Sequence, residues 1–292
     1  MAIDYDRLKA RQFADVEQAY SARDSILYAL GIGLGADPLD PGQIRFLFEE
    51  DAGFATLPTQ SVVMAGPGFW VREPDSGVTW QQVLHGEQRL AIHAPLPPEG
   101  VVIGRTRIED IIDKGPGKGA LIYVTREISD KATGQLLATS SSTTFARADG
   151  GFGGPSGPVK PVHTLPDRAP DLVDNVQTLP QAALIYRLSG DPNPLHANPA
   201  VAASAGFNAP ILHGLCSYGV AGWSVLRSCC DGDPARLRRF DLRFSSPVYP
   251  GETLRTEIWR DGDQVSFRTS VPARDTIVLN NGLAVIAAPD PA

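Results

Sequence analysis

Residues 149–170 read DGGFGGPSGPVKPVHTLPDRAP. Proline has no backbone donor and a fixed φ, and glycine has the most conformational freedom to lose, so this stretch forms neither a helix nor an inner strand. It cuts the 292-residue chain into halves of about 150 and 120 residues, each the size of one domain. The expected organisation is an N-terminal domain over 1–150, a linker over 151–172 and a C-terminal domain over 173–292.

The halves share a loose order of elements. Each has an early helical stretch, then a Leu-His-Gly tripeptide (Leu84-His85-Gly86 and Leu212-His213-Gly214), then long alternating runs. In the first half ALIYVTREISD and GQLLATSSSTTFAR flank a turn at Asp130–Gly134. In the second, ETLRTEIWR and QVSFRTSV flank Asp261-Gly262-Asp263, and TIVLNNGLAVIA follows. Gly-containing turns between alternating runs are hairpin signals. The segment HGLCSYGVAGWSVLRSCC (213–230) is apolar nearly all round, which predicts a buried helix, and its glycines suit close approach to a sheet. These pieces give an α+β class, with a long antiparallel sheet around one buried helix, made twice.

The overall balance removes several functions. With 26 Lys+Arg against 33 Asp+Glu the net charge is −7, the wrong sign for a general nucleic-acid binder. Hydrophobic residues at 42% and charged residues at 20% are those of a globular chain with a core. Three cysteines, Cys216, Cys229 and Cys230, give neither a disulfide framework nor a Cys-x-x-Cys pair, so reduced thiols in the cytoplasm are expected. MAIDYDRLKARQF has no apolar h-region, and the terminal AAPDPA carries no lipidation or peroxisomal signal. The uncharged run 197–226 is broken by Asn198, Pro199, Asn208, Pro210 and His213, so it reads as a core element and not a membrane span.

The chemistry concentrates in LIYRLSGDPNPLHANPAVAASAGFNAPILHGLCSY (184–218). Pro192 and Pro194 forbid regular structure, so Asp191, Asn193 and His196 sit on a constrained loop. A histidine titrating near neutrality beside a carboxylate can hold and activate one water. The same residues also suit loop architecture alone, with Asp191 as a helix cap. One His, one Asp and one Asn make a poor zinc set, and no metal is expected. Farther on, His213 precedes Gly214 at the start of the buried helix, where free backbone N–H groups could hold an oxygen gaining negative charge. His213 equally suits a core or cap role.

The run from Tyr186 to Tyr218 resembles the signature of the MaoC-like dehydratases, in the (R)-specific enoyl-CoA hydratase 2 branch that includes the hydratase part of the peroxisomal multifunctional enzyme type 2. Y-R-L-S-G-D-x-N-P-L-H, A-x-x-x-G-F and P-I-L-H-G-L-C carry it, with Phe244 and Pro247-Val248-Tyr249-Pro250-Gly251-Glu252-Thr253-Leu254 after them. The first half adds Tyr28-Ala29-Leu30-Gly31-Ile32-Gly33, Leu57-Pro58-Thr59, Leu84-His85-Gly86-Glu87-Gln88, Asp113-Lys114-Gly115 and Gly151-Phe152-Gly153-Gly154. The resemblance implies a double hotdog fold, each half a helix wrapped in an antiparallel sheet. It also implies that the first half, lacking any D-x-N-P-x-H, has given up its site to make room for medium, long or bulky acyl chains.

The implied activity is reversible, stereospecific hydration of trans-2-enoyl-CoA to (3R)-hydroxyacyl-CoA, a hydro-lyase reaction of fatty-acid β-oxidation. Asp191 and His196 would activate the water, Asn193 would orient the loop or the water, and the N–H of Gly214 would hold the thioester oxygen. His85, Gly86, Lys114, Pro192, Pro194, Leu195, His213 and Phe244 would contact acyl-CoA. A solvated loop for Lys114 and core packing for Phe244 remain alternatives. Glu49 stands where relatives carry a Glu, although Glu50-Asp51-Ala52-Gly53-Phe54 departs from their pattern, and a surface carboxylate is the plainer reading. No cofactor is needed, because hydration moves no electrons. Acyl-CoA is the expected partner, without nucleic acid or membrane, and a homodimer is compatible with the fold. The competing readings are a non-catalytic acyl-CoA-binding hotdog protein, a dehydratase for acyl-carrier-protein or steroid-CoA thioesters, and a thioesterase.

Overall fold

The structure, a computed structural model, describes residues 2–288. The last four residues of AAPDPA lie outside the described residues. The first half contributes strands β1 (Val16–Tyr20), β2 (Val83–Ile92), β3 (Gly100–Asp113), β4 (Ala120–Asp130) and β5 (Leu136–Ala146). The second contributes β6 (Leu172–Gln177), β7 (Leu237–Phe244), β8 (Thr253–Asp261), β9 (Gln264–Val271) and β10 (Thr276–Ile286). No helix or strand falls between Ala146 and Leu172, as the prolines and glycines there require.

The spatial order is β1-β3-β4-β5-β2-β7-β10-β9-β8-β6, so the second half repeats the strand order of the first in reverse. The internal repeat is therefore visible in topology. The halves meet where β2 pairs antiparallel with β7, Leu90 opposite Phe240, and ten strands form one continuous antiparallel sheet. Both hairpins form where the turn chemistry placed them, with Gly134 and Gly262 at positive φ.

In the second half the sheet wraps around a buried helix, Gly214–Cys229. The helices in chain order are α1 (Tyr5–Lys9), α2 (Ala22–Gly31), α3 (Pro41–Ile44), α4 (Ala182–Tyr186), α5 (Pro199–Ser204) and this long α6. Tyr218 of α6 stands edge-on to Phe240 of the sheet, ring centroids 4.9 Å apart, and donates to the Phe240 carbonyl. α6 also meets the first half. A Cβ on Gly219 would lie 2.7 Å from Ile32 and 2.8 Å from the Tyr28 hydroxyl, and one on Gly222 would lie 2.7 Å from Thr59. These glycines thus permit approach to α2 and a neighbouring turn, where the sequence suggested a sheet.

Two expectations need correcting. Among the described residues, the first half carries no helix comparable to α6. Between α2 and β2 it holds α3 and short 3-10 turns at Pro58–Val63, Trp70–Arg72, Pro74–Ser76 and Trp80–Gln82. Pro58, Pro67 and Pro74, with Gly53, Gly66, Gly68 and Gly77, interrupt any longer helix there. The two Leu-His-Gly tripeptides are also not equivalent: the first opens strand β2 and the second caps α6.

Candidate active site

The loop after α4 is built by short-range hydrogen bonds. Gly190 takes φ 125°, a conformation that favours glycine, and a Cβ there would lie 3.2 Å from the Val63 carbonyl. Oδ1 of Asp191 accepts the Asn193 N–H at 3.2 Å, and Oδ1 of Asn193 accepts the Leu195 N–H at 3.1 Å. Asn193 is thus the N-cap of the 3-10 turn Pro194–His196, with Pro194 at its first position, and it positions His196 through the backbone.

His196 is buried, and its Nδ1 donates to the Ile211 carbonyl at 2.8 Å. In the neutral ring that bond leaves the lone pair on Nε2. Burial pushes its pKa below the usual histidine value, against a smaller opposing pull from the Ile211 bond and the Asp191 charge. His213, fully buried, stacks on it with ring centroids 3.8 Å apart and an interplanar angle of 28°. Nε2 of His213 donates to the Asp191 backbone carbonyl at 3.1 Å, so His213 pins the residue that carries the carboxylate. Burial, and then the proximity of His196, lower the His213 pKa to about 4. A carboxylate oxygen of Asp191 and one ring nitrogen from each histidine lie within 4.8 Å of one another, a spacing that one water can bridge.

These three side chains are also the kind that bind metal. In nearly parallel stacked imidazoles, however, the in-plane lone pairs run alongside each other and do not converge on one ion. Tetrahedral zinc, with ligands at about 2.0–2.1 Å, needs convergence. The arrangement favours a water.

Gly214 begins α6 with no side-chain cap, so its N–H has no intrahelical acceptor and sits at the positive end of a 16-residue helix. A Cβ on Gly214 would lie 3.2 Å from the Phe244 ring. Phe244 in turn packs against His85 of the first half, centroids 4.6 Å apart. Nε2 of His85 bonds to the Glu87 carbonyl, and burial lowers its pKa to about 4, with Asp191 close enough for its charge to pull the other way. Gly86 lies in a bulge of β2 between His85 and Glu87, its Cβ position 3.2 Å from the Thr143 carbonyl. The site therefore straddles the two halves. Lys114, exposed, holds its Nζ 5.0 Å over the ring of Phe145, whose Cβ is 4.0 Å from the Cβ position of Gly86. His85, Phe244 and Gly214 thus form a chain of contacts from the first half to the helix N-terminus, while Lys114 and Phe145 pack beyond Gly86, with Phe145 next to Thr144 in β5 and so on the other face of the sheet.

Pro192 and Pro194 are exposed and Leu195 half-buried on the same loop. Glu49 is an exposed carboxylate in a turn, as the plainer reading had it. Two supporting residues escaped sequence reasoning. Asp113 accepts N–H groups from Gly151, Gly115 and Gly153 at 2.7, 2.8 and 2.8 Å, which hold its carboxyl below the usual range. It anchors the Lys114 loop to the start of the linker, and its signal was the pairing of Asp-Lys-Gly with Gly-Gly-Phe-Gly-Gly. Tyr186, fully buried, lies 5.1 Å from the His213 ring, and only its place in the motif marked it.

Comparison with known proteins agrees with this architecture. Residues 161–281 match the MaoC like domain, and residues 18–148 match the MFE-2 hydratase 2 N-terminal domain. The chain is 38% identical over 292 residues to enoyl-CoA hydratase ChsH3 of Mycobacterium tuberculosis, covering 99% of this chain and 100% of that protein. It is 37% identical over 293 residues to the probable enoyl-CoA hydratase 2 of Dictyostelium discoideum, covering 98% and 97%. A MaoC-like dehydratase from Phytophthora capsici superposes with a TM-score of 0.86 at 33% identity, over 98% of each chain.

Proposed function

The chain belongs to the MaoC-like dehydratase family, in its hydratase 2 branch, and on that premise we propose that it is a hydro-lyase catalysing reversible, (R)-specific hydration of trans-2-enoyl-CoA to (3R)-hydroxyacyl-CoA. The observation that carries this reading is the convergence of Asp191, His196 and His213, the N-cap residue of α6, on one small volume.

Asp191 and Nε2 of His196 hold one water between them. As its oxygen bonds to C3, His196 takes a proton and Asp191 accepts a hydrogen bond from the remaining O–H. The electron pair of the C2–C3 double bond moves toward the thioester, whose oxygen gains charge against the N–H of Gly214. The proton is then delivered to C2 on the same face, completing the addition of H and OH with no redox change. A positioned acid/base group supplies about 10²–10⁴-fold, and one oxyanion donor about 3 kcal/mol. His213 holds the Asp191 backbone, and Asn193 caps the turn carrying His196. His85, Gly86, Phe244, Pro192, Pro194 and Leu195 flank the thioester, with Lys114 at the surface for a CoA phosphate.

Medium, long or bulky acyl groups are the proposed substrates, because the first half lacks a helix where α6 fills the second. The proposed compartment is the cytoplasm, supported by three buried, unbridged thiols. Among the described residues no helix is long and apolar enough to cross a membrane.

The test follows the enoyl-thioester absorbance of crotonyl-CoA and trans-2-decenoyl-CoA, coupled to (R)- or (S)-specific hydroxyacyl-CoA dehydrogenases, with a thiol assay for released CoA. Signal through the (R) enzyme alone, without free CoA, is expected. Free CoA would identify a thioesterase instead. Asp191→Asn and His196→Gln should each cost at least about 10²-fold in kcat while cooperative unfolding is retained. Near-normal turnover in either variant would refute the assigned roles.

A further inference from the structure

The inner face of the sheet changes character between the halves. In the second half it presents Phe240 and Leu242 to α6. In the first half, beneath the 3-10 turns, it presents Thr106, Arg126, Ser140, Ser142 and Thr144, which with Trp70 line a cavity of about 150 Å³. A cavity of that size takes a group about as large as benzene.

Arg126 is the unusual member. Among the described residues no carboxylate pairs with it, and desolvation alone shifts its guanidinium. Its Nη2 donates to the Val62 carbonyl at 2.6 Å, while its Nε is buried without an acceptor, as is Oγ1 of Thr106. Burial lowers the guanidinium pKa to about 10, which leaves it charged at neutral pH. Arg126 is half-buried, with its Nε shut off from water and no counter-ion beside it, and a guanidinium among hydroxyls matches a carboxylate in both charge and geometry.

The cavity adjoins the active site. Thr144 stands directly opposite His85 in the β2–β5 pairing, so both point to the same face. Val62 gives its carbonyl to Arg126, and the next carbonyl, that of Val63, lies against Gly190 beside Asp191. We propose that this cavity receives a carboxylate at the far end of the acyl chain, so that the preferred substrates are trans-2-enoyl-CoA thioesters bearing a terminal carboxylate. This rests on the hydratase reading above and adds the chemistry of the acyl end.

The test compares kcat/KM for matched series of ω-carboxylated and methyl-ended trans-2-enoyl-CoA of increasing length. At the length that reaches Arg126 the carboxylated member should lead by roughly 10–100-fold, the value of a charge-assisted hydrogen-bond pair. In Arg126→Gln the ratio should fall toward one. Ser142→Ala, which leaves the Val62 contact in place, should reduce it partly and serves if Arg126→Gln does not fold. Methyl-ended chains used as well as carboxylated ones at every length, or a ratio retained in Arg126→Gln, would overturn the proposal while leaving the hydratase reading intact. Stimulation of methyl-ended turnover by free acetate, without a carboxylated preference, would also overturn it in favour of an untethered anion. Failure to hydrate either series would overturn the hydratase reading and this inference together.

Discussion

His196 and His213 stack, yet they have different tasks, and their hydrogen bonds separate them. Nδ1 of His196 is spent on the Ile211 carbonyl, so Nε2 remains as a base. Nε2 of His213 is spent on the backbone of Asp191, so this ring holds the loop. Because burial depresses the His196 pKa, its neutral, base-competent form persists into mild acid. The acid limb of kcat/KM assigned to His196 should therefore lie below 6.5, and a limb at or above that value would contradict its assignment as base. Stability follows the same sign. A histidine whose folded pKa is lower than its unfolded pKa binds fewer protons when folded, so its contribution is complete above 6.5 and is lost as pH falls toward the folded value. For His85 and His213 that window runs from 6.5 down to about 4. The unfolding temperature should be flat above neutrality and fall through this window, and replacing His213 with Asn should flatten the fall. An unchanged slope in that variant would remove His213 from the account.

The glycines of α6 act at the level of the element. In an exposed helix Gly→Ala gains about 1 kcal/mol. At Gly219 the new methyl would meet Ile32 and the Tyr28 hydroxyl inside contact distance, and overpacking costs about 1–3 kcal/mol. Gly219→Ala should therefore show a net loss of stability in denaturant titration, and a gain would mean that α2 gives way freely. Sequence reading placed α6, both hairpins and the constrained Asp191–His196 loop, because turn residues, alternation and paired prolines act within a few positions of one another. It misjudged what α6 packs against, since that contact joins Gly219 to residues about 190 positions earlier. It placed a Leu-His-Gly tripeptide before the strands of each half, and three residues look alike in a strand and at a helix cap. Asp113 and Arg126 were passed over for a related reason: a carboxylate gathering two distant N–H groups and a guanidinium without a counter-ion are properties of tertiary placement.

The whole molecule is two halves that share one sheet and the larger of two hydrophobic cores, the smaller lying around Trp70 and Ile111 in the first half. Phe46 stands edge-on to Trp223 at 5.7 Å, Tyr28 tilts against Tyr186 at 5.8 Å, and Sγ of Cys216 donates to the Gly31 carbonyl at 3.3 Å. All three contacts cross between the halves. The second half alone would keep Asp191, His196, His213 and Gly214. It would also expose the glycine face of α6, lose His85 from beside Phe244, and leave β7 with a bare edge where β2 had paired. An unpaired, partly apolar edge strand recruits other chains. Residues 173–292 expressed alone should therefore aggregate or unfold without a cooperative transition, and should show no hydratase activity despite carrying the whole acid/base set. Cleaving an engineered protease site in the linker of the folded chain should, by contrast, leave activity in place, because the halves stay joined through β2–β7 and the shared core. If the isolated second half folded cooperatively and hydrated enoyl-CoA, the first half would be an accessory. If linker cleavage abolished activity, the covalent connection would be doing what the sheet and core are assigned here.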